Sequence, residues 1–262
     1  MECRYRSTFL REGKNNNMSI SRIYQLIPLQ VSARVRLDEK ASHHLARVLR
    51  AKVGEKLTLF NGEGGEYLAR ITQIDKKGVE VEVLQFSERE AESPLTIHLA
   101  QGIARGEKMD FIVQKAVELG VNNIIPLITE RCNVRFDEGR EEKRLAHWQS
   151  VVVSACEQSG RNRVPRVLPP VRLEKWFSEI EVDVGFVLSP HVQVKLSSIA
   201  IDCKSVALLI GPEGGLSEQE IEMAMRKGFL PLNLGPRVLR TETATLAAVT
   251  MVQGWLGDMN HI

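Results

Sequence analysis

Hydrophobic and polar residues along this chain follow two periods, and the change falls near residue 90. Before it the period is two. Residues 57–60, 67–74 and 79–84 read as short strands, the last opposing Val79, Val81 and Val83 to Glu80 and Glu82. Asn61-Gly62-Glu63-Gly64-Gly65 predicts a hairpin turn between the first two. It is not a phosphate loop, because no GxxxxGK[ST] is present and the stretch opens no helix. Ahead of these strands, residues 41–50 predict a short helix whose His44, Arg47 and Arg50, spaced at three, share a face. Residues 88–93 are charged, end at Pro94 and predict a linker.

Beyond Pro94 strand and helix patterns alternate. Residues 95–100 read as a strand and 107–119 as a helix with Met109, Ile112, Val113, Ala116 and Leu119 on one side. A strand over 123–128, a long helix over 137–159 and a strand over 184–188, ending at Ser189-Pro190, follow. Apolar strands interleaved with helices imply a parallel α/β sheet covered on both faces.

The most informative stretch is 205–255. Val206-Ala207-Leu208-Leu209-Ile210 is an apolar run of strand length that stops at Gly211-Pro212-Glu213-Gly214-Gly215. Ser217 with Glu220 has the spacing of a capping box and opens the next helix. A short strand at 231–234 breaks at Gly235-Pro236 and leads through Arg237-Val238-Leu239-Arg240 into Thr241-Glu242-Thr243-Ala244, where an Ala/Leu/Val-rich helix runs to about Trp255. Two buried strands thus end in glycine-proline turns, each followed by a helix start. Ligands of parallel α/β sheets bind outside the carboxyl ends of strands, where glycine lets the backbone approach them. One such turn could merely punctuate a fold; two with these residues point to a site.

Composition narrows the picture. The 262 residues are 43% hydrophobic and 26% charged, the balance of a globular chain of one large or two ordinary domains. No apolar run approaches the roughly 20 residues that span a bilayer. The first residues are polar and basic without a signal-peptide core, which makes the cytoplasm the expected compartment. Residues 1–17 read as a poorly ordered polar extension. Cys3, Cys132, Cys156 and Cys203 are far apart and form no CxxC pair, which argues against a metal site. Cys156, in an apolar helical context, reads as a small core residue rather than a nucleophile. The net charge of +2 does not advertise a nucleic-acid partner. Residues 22–56, however, carry eight Lys/Arg against three Asp/Glu, whereas 57–92 carry four against eight. Such asymmetry suits a phosphate-holding face, and equally a solvated surface balanced elsewhere.

GPEGGLSEQE followed by LNLGPRVLRTETA resembles the carboxyl-terminal signature of the SPOUT RNA methyltransferases, and within them the RsmE branch. The resemblance extends to Ser21-Arg22-Ile23-Tyr24, to His44-Leu45-Ala46-Arg47-Val48-Leu49-Arg50 and to Ala155-Cys156-Glu157-Gln158-Ser159-Gly160-Arg161, covering 18–255. It implies a PUA-like RNA-binding domain over 18–90 and a SPOUT domain over 94–258 whose parallel sheet carries a deep trefoil knot. The implied activity is transfer of a methyl group from S-adenosylmethionine (SAM) to N3 of a uridine in small-subunit (16S) ribosomal RNA, free or in the assembled subunit. The implied cofactor positions are Leu188, Gly211, Glu213, Gly215, Leu234, Gly235, Leu239, Thr243 and Ala244. Arg22, His44, Arg47 and Arg50 would meet RNA from the first domain, and Arg105, Lys108, Arg161 and Arg237 from the second. His44, Arg105, Lys108 and Arg161 read equally well as ordinary structure or surface. Members of the superfamily usually pair as homodimers, and the helix 244–255 would suit that interface as well as an internal core. No metal or membrane is implied.

The chemistry asks for two further groups. Uracil N3 is a poor nucleophile until its proton leaves, so a carboxylate to accept that proton or a guanidinium to stabilise the anion is needed. Glu242 and Arg240 are the candidates, although Arg240 could equally position the cofactor or a partner subunit. The same fold could serve 2′-O-ribose or guanine-N1 methylation, or a non-catalytic RNA-binding assembly factor.

Overall fold

The computed structural model describes residues 20–132, 138–189 and 203–260; the extension expected over 1–17 lies outside them. The period-two stretch folds as a five-stranded sheet of β1 (Arg22–Tyr24), β2 (Arg34–Arg36), β3 (Lys56–Phe60), β4 (Glu66–Asp75) and β5 (Gly78–Ser87), in the order β1-β3-β4-β5-β2. β1 runs parallel to β3 and the other pairs are antiparallel. Val79, Val81 and Val83 point into the core, as their alternation with glutamates requires. β1 and β2, at three residues each, are too short to show a period and escaped the sequence reading.

The helix expected over 41–50 is corrected. Asp38 caps α1 (Glu39–His43) by accepting the Ala41 N–H at 2.7 Å. The chain then widens into a π-turn over His44–Val48, closed by the Leu49 N–H on the His44 carbonyl at 2.9 Å, and Arg50 leaves it with φ of 53°. His44, Arg47 and Arg50 are all exposed. In a widened turn, however, residues three apart no longer stack as in an α-helix. A single α-helical row of basic residues is therefore absent here.

The second sheet comprises β6 (Thr96–Gly102), β7 (Asn123–Ile128), β8 (Arg166–Val167), β9 (Val171–Arg172), β10 (Val184–Leu188), β11 (Ser205–Ile210) and β12 (Leu230–Leu232). Its order is β12-β10-β11-β6-β7-β8, with β9 also on β7, and every pair is parallel. Helices α2 (Glu107–Glu118), α3 (Glu138–Ser159) and α6 (Thr241–Leu256) pack on one face; α4 (Leu173–Glu179) and α5 (Glu218–Arg226) pack on the other. β11 shows why its sequence is apolar throughout. Val206, Leu208 and Ile210 join the first core while Ala207 and Leu209 join the second. The buried face of α2 is formed by Met109, Ile112, Val113, Ala116 and Val117, close to the expected set. Cys156 lies in the core, where burial pushes its thiol up to about 12, too weakly ionised to act as a nucleophile.

The charged linker is docked between the sheets, and this corrects two expected RNA contacts. Arg161 is 3% exposed. Its Nε and Nη2 hold the two Glu92 oxygens at 3.0 and 2.5 Å, and Nη1 donates to the Val117 and Val121 carbonyls at 2.9 and 2.7 Å. Arg22 donates to Glu66 and Asn162 at 2.5 and 2.6 Å, with its guanidinium 5.1 Å above the Phe60 ring. Asn162 in turn donates to the Arg89 carbonyl in the linker. Both guanidiniums are neutralised by carboxylates inside the protein, so they brace the fold instead of facing phosphates.

Candidate active site

The carboxyl ends of β10, β11 and β12 open onto a cavity of about 760 Å³. Three chain segments form its walls, and each is fixed by identifiable bonds. The first is the turn after β11. The Gly215 N–H closes it on the Pro212 carbonyl at 2.9 Å, with Gly215 at φ of 70°, a conformation that favours glycine. A Cβ on Gly211 would lie 2.7 Å from the backbone of Gly215 and Leu216, so only glycine lets the turn fold back on itself.

The same turn is clamped from both sides. Arg131 donates through Nη1 to the Gly214 and Leu216 carbonyls at 3.2 and 3.3 Å. Glu220 completes the expected capping box with Ser217, and its Oε1 also accepts the Glu130 N–H at 2.8 Å. Opposite them, Glu213 Oε1 accepts from the Arg105 N–H at 3.1 Å and from Lys108 Nζ at 3.2 Å. Partial burial raises the Glu213 carboxyl, but the hydrogen bonds from Arg105 and Lys108 outweigh it and hold the group below its ordinary range. Glu213 is therefore an ionised strut between the turn and the start of α2.

The second wall is the segment from Leu232 to Arg240. The Ser189 N–H donates to the Leu232 carbonyl at 3.0 Å, and the Asn233 side chain accepts the Gly235 N–H at 2.7 Å, with Gly235 at φ of 98°. Val238 is 100% exposed at the cavity wall. An apolar side chain so placed is an uncovered surface on which a ligand could rest.

The third wall is the first turn of α6, anchored through the Thr241 side chain. Arg240 is the N-cap and makes no side-chain capping bond. The Thr241 hydroxyl donates instead to the Gly211 carbonyl at 2.7 Å and accepts from Gln101 Nε2 at 3.0 Å. Gln101 Nε2 also reaches the Gly102 and Gly211 carbonyls at 2.9 and 3.3 Å, while its Oε1 accepts from Thr245 at 2.7 Å. Buried among apolar strands, this amide locks the ends of β6 and β11 to α6.

Of the cofactor positions expected, Leu188, Gly211, Glu213, Gly215, Leu234, Gly235, Leu239 and Ala244 line the cavity. Thr243 does not, and its side chain is exposed on α6. Lys108, Arg237 and Arg240 also line it. Glu242 sits in an adjoining cleft with Glu107, Lys108 and Phe111. The sequence reading missed Arg131 and Gln101. Gln101 carried a usable signal, as a polar residue inside an apolar strand; Arg131 carried only its place in a strand-to-helix turn. Among the described residues no cluster of three or more His, Cys, Asp or Glu could hold a metal ion, and no helix is long and apolar enough to cross a membrane.

Comparison with known proteins gives the family. Residues 91–253 match an RNA methyltransferase domain family and residues 37–84 an RNA methyltransferase PUA domain family. The ribosomal RNA small subunit methyltransferase E of Buchnera aphidicola (from Schizaphis graminum) is 39% identical over 92% of this chain and 98% of its own length. The structure of the Neisseria gonorrhoeae ribosomal RNA small subunit methyltransferase E bound to S-adenosyl methionine matches with a TM-score of 0.85 at 42% identity, covering 91% of this chain and 99% of that one. A Legionella pneumophila protein solved as a methyltransferase with bound SAM gives a TM-score of 0.89 at 43% identity over 92% and 100% of the two chains. The matches span both sheets, and the chain belongs to the ribosomal RNA small subunit methyltransferase E family of RNA methyltransferases.

Proposed function

We propose that this protein transfers the methyl group of SAM to N3 of a uridine in small-subunit (16S) ribosomal RNA, in the cytoplasm. The observation that carries this reading is the strand-end cavity, whose glycine turns and apolar walls match the needs of an adenosyl ligand in a chain related to SAM-bound proteins. The Gly211 turn brings backbone to the cavity wall, Leu188, Leu234 and Leu239 offer apolar surface to the adenine, and Ala244 leaves room beside α6. When bound, SAM supplies an electrophilic methyl on a sulfonium. The chain's own residues then orient the uracil and manage one proton. Glu242 is suited to accept the N3 proton, Arg240 to stabilise the developing anion, and Arg237 to hold a neighbouring phosphate. The exposed His44, Arg47 and Arg50 at the π-turn beside the first sheet suit contacts to the RNA backbone, as does Arg105 near the cavity mouth.

In this reading the knot is formed where the start of α6 packs against the carboxyl ends of β6 and β11, an arrangement supported by the Gln101–Thr241–Gly211 bonds. Domain limits of 18–90 and 94–258 follow the two sheets. A homodimer is included, with the half-buried side of α6 as its contact. Sedimentation at micromolar concentration is expected to give twice the chain mass, and a monomer would remove the dimer from the proposal.

The test is transfer of labelled methyl from SAM to small ribosomal subunits that lack the modification, with the product nucleoside identified by mass spectrometry. N3-methyluridine is expected. A different methylated nucleoside would overturn the assignment of the base, and cofactor binding without transfer to subunits or free ribosomal RNA would overturn that of the substrate.

A further inference from the structure

The cleft that adjoins the cofactor cavity has a composition that the cavity alone does not explain. It measures about 330 Å³ and is lined by Glu107 and Lys108 from the first turn of α2, Phe111 one turn on, and Glu242 from the first turn of α6. Lys108 lines both the cleft and the cavity, so the two are neighbours across one side chain. Phe111 is 41% exposed although the rest of the apolar side of α2 is buried. An uncovered aromatic ring beside a cavity is a stacking surface for a planar partner. Glu242 Oε2 is shielded from solvent yet has no hydrogen-bond partner among the described residues. A shielded carboxylate oxygen without a donor is costly, and a partner that brings an N–H into the cleft would relieve it.

We propose that this cleft seats the target uracil, with Phe111 stacking on its ring and Lys108 stabilising the negative charge that develops on its carbonyl oxygens. The inference rests on the proposed function and extends it to Lys108 and Phe111, which have no role there. Lys108 is suited by position. Its Nζ is held by Glu213 at 3.2 Å, its side chain is 42% exposed, and an ammonium has three donors, so the pair leaves donors available. Arg240 lines the cavity next to the cleft, and Lys108, which lines both, shares with it the task of stabilising the anion. The amino-terminal ends of α2 and α6 both border the site, and their dipoles favour an anion there. The step balances as follows: the N3 proton passes to the Glu242 carboxylate, the N3 lone pair forms the new N–C bond, and the C–S bond electrons return to sulfur. Charged groups around the uracil would be Glu107, Lys108 and Glu242, with Glu213 and Arg105 behind Lys108.

The experiment compares Lys108→Met, Lys108→Arg, Phe111→Ala and Phe111→Tyr with the unaltered protein. It measures SAM affinity, single-turnover methyl transfer to small subunits across pH, KM for subunits and sedimentation. Lys108→Met is expected to slow transfer by about 10²- to 10³-fold at neutral pH, well beyond any change in SAM affinity, since Lys108 also lines the cavity. Its rate should go on rising at alkaline pH where that of the unaltered protein levels off, because without the cation the uracil ionises only at higher pH. Lys108→Arg should recover much of the rate. Phe111→Ala should raise KM by about 5- to 150-fold, the range of one lost stacking contact, and Phe111→Tyr should restore it. An unchanged rate and pH profile in Lys108→Met would overturn the proposal, as would a loss that follows SAM affinity. Phe111→Ala losing activity only by dissociating a dimer would equally overturn it. If the unaltered protein makes no N3-methyluridine, the proposed function fails instead, so the two failures remain separate.

Discussion

Glu242→Gln is expected to slow the chemical step of methyl transfer by about 10²- to 10⁴-fold while leaving SAM affinity unchanged. The substitution keeps the shape of the side chain and removes its capacity to take a proton. It breaks no bond at Oε2, which has no partner among the described residues, so the fold has little to lose. Binding should survive because Glu242 lines the cleft and not the cavity. Arg240→Ala should also lower the single-turnover rate more than cofactor affinity. Its effect on binding should nevertheless exceed that of Glu242→Gln, because Arg240 lines the cavity wall. Single-turnover rates with small subunits and calorimetric SAM binding separate the two effects. Unchanged rates in both variants would remove these residues from the mechanism and leave α6 as a wall of the cofactor site.

Much of this arrangement was legible in the chain because of how parallel sheets are built. A strand buried on both faces must be apolar at every position, so Val206–Ile210 announced itself without any period, and its abrupt stop at Gly211 marked where the backbone turns. The Ser217–Glu220 box was equally local, a bond pattern within one helical turn. What escaped depends on distance along the chain. α4 and the two-residue strands β8 and β9 owe their place to neighbours rather than to a pattern of their own. The π-turn at His44 is invisible to any count that assumes a fixed helical period. Glu242 was legible as chemistry, but its position in a separate cleft was not, since that cleft exists only where α2 and α6 meet.

Arg161 was misread for the same reason, and its replacement should have the largest effect on stability. A basic residue after a helix looks like surface, yet the carboxylate it holds is 69 residues away and its carbonyl partners are 44 and 40 residues away. Arg161→Met is expected to destabilise the fold by about 3–5 kcal/mol, because it leaves the shielded Glu92 carboxylate without its cation and takes a donor from each of the Val117 and Val121 carbonyls. For a protein of this size that corresponds to a fall in Tm of roughly 6–20 °C. Arg161→Lys should recover only part of it, since an ammonium cannot span the Glu92 fork and both carbonyls together. Adding Glu92→Gln to Arg161→Met should return a share of the loss, because the orphaned charge is removed along with its partner. Calorimetric unfolding of the four proteins measures each expectation. A loss below about 1 kcal/mol in Arg161→Met would mean that water takes over these bonds at little cost, as at an exposed ion pair. The linker would then be held chiefly by Arg89 and Asn162.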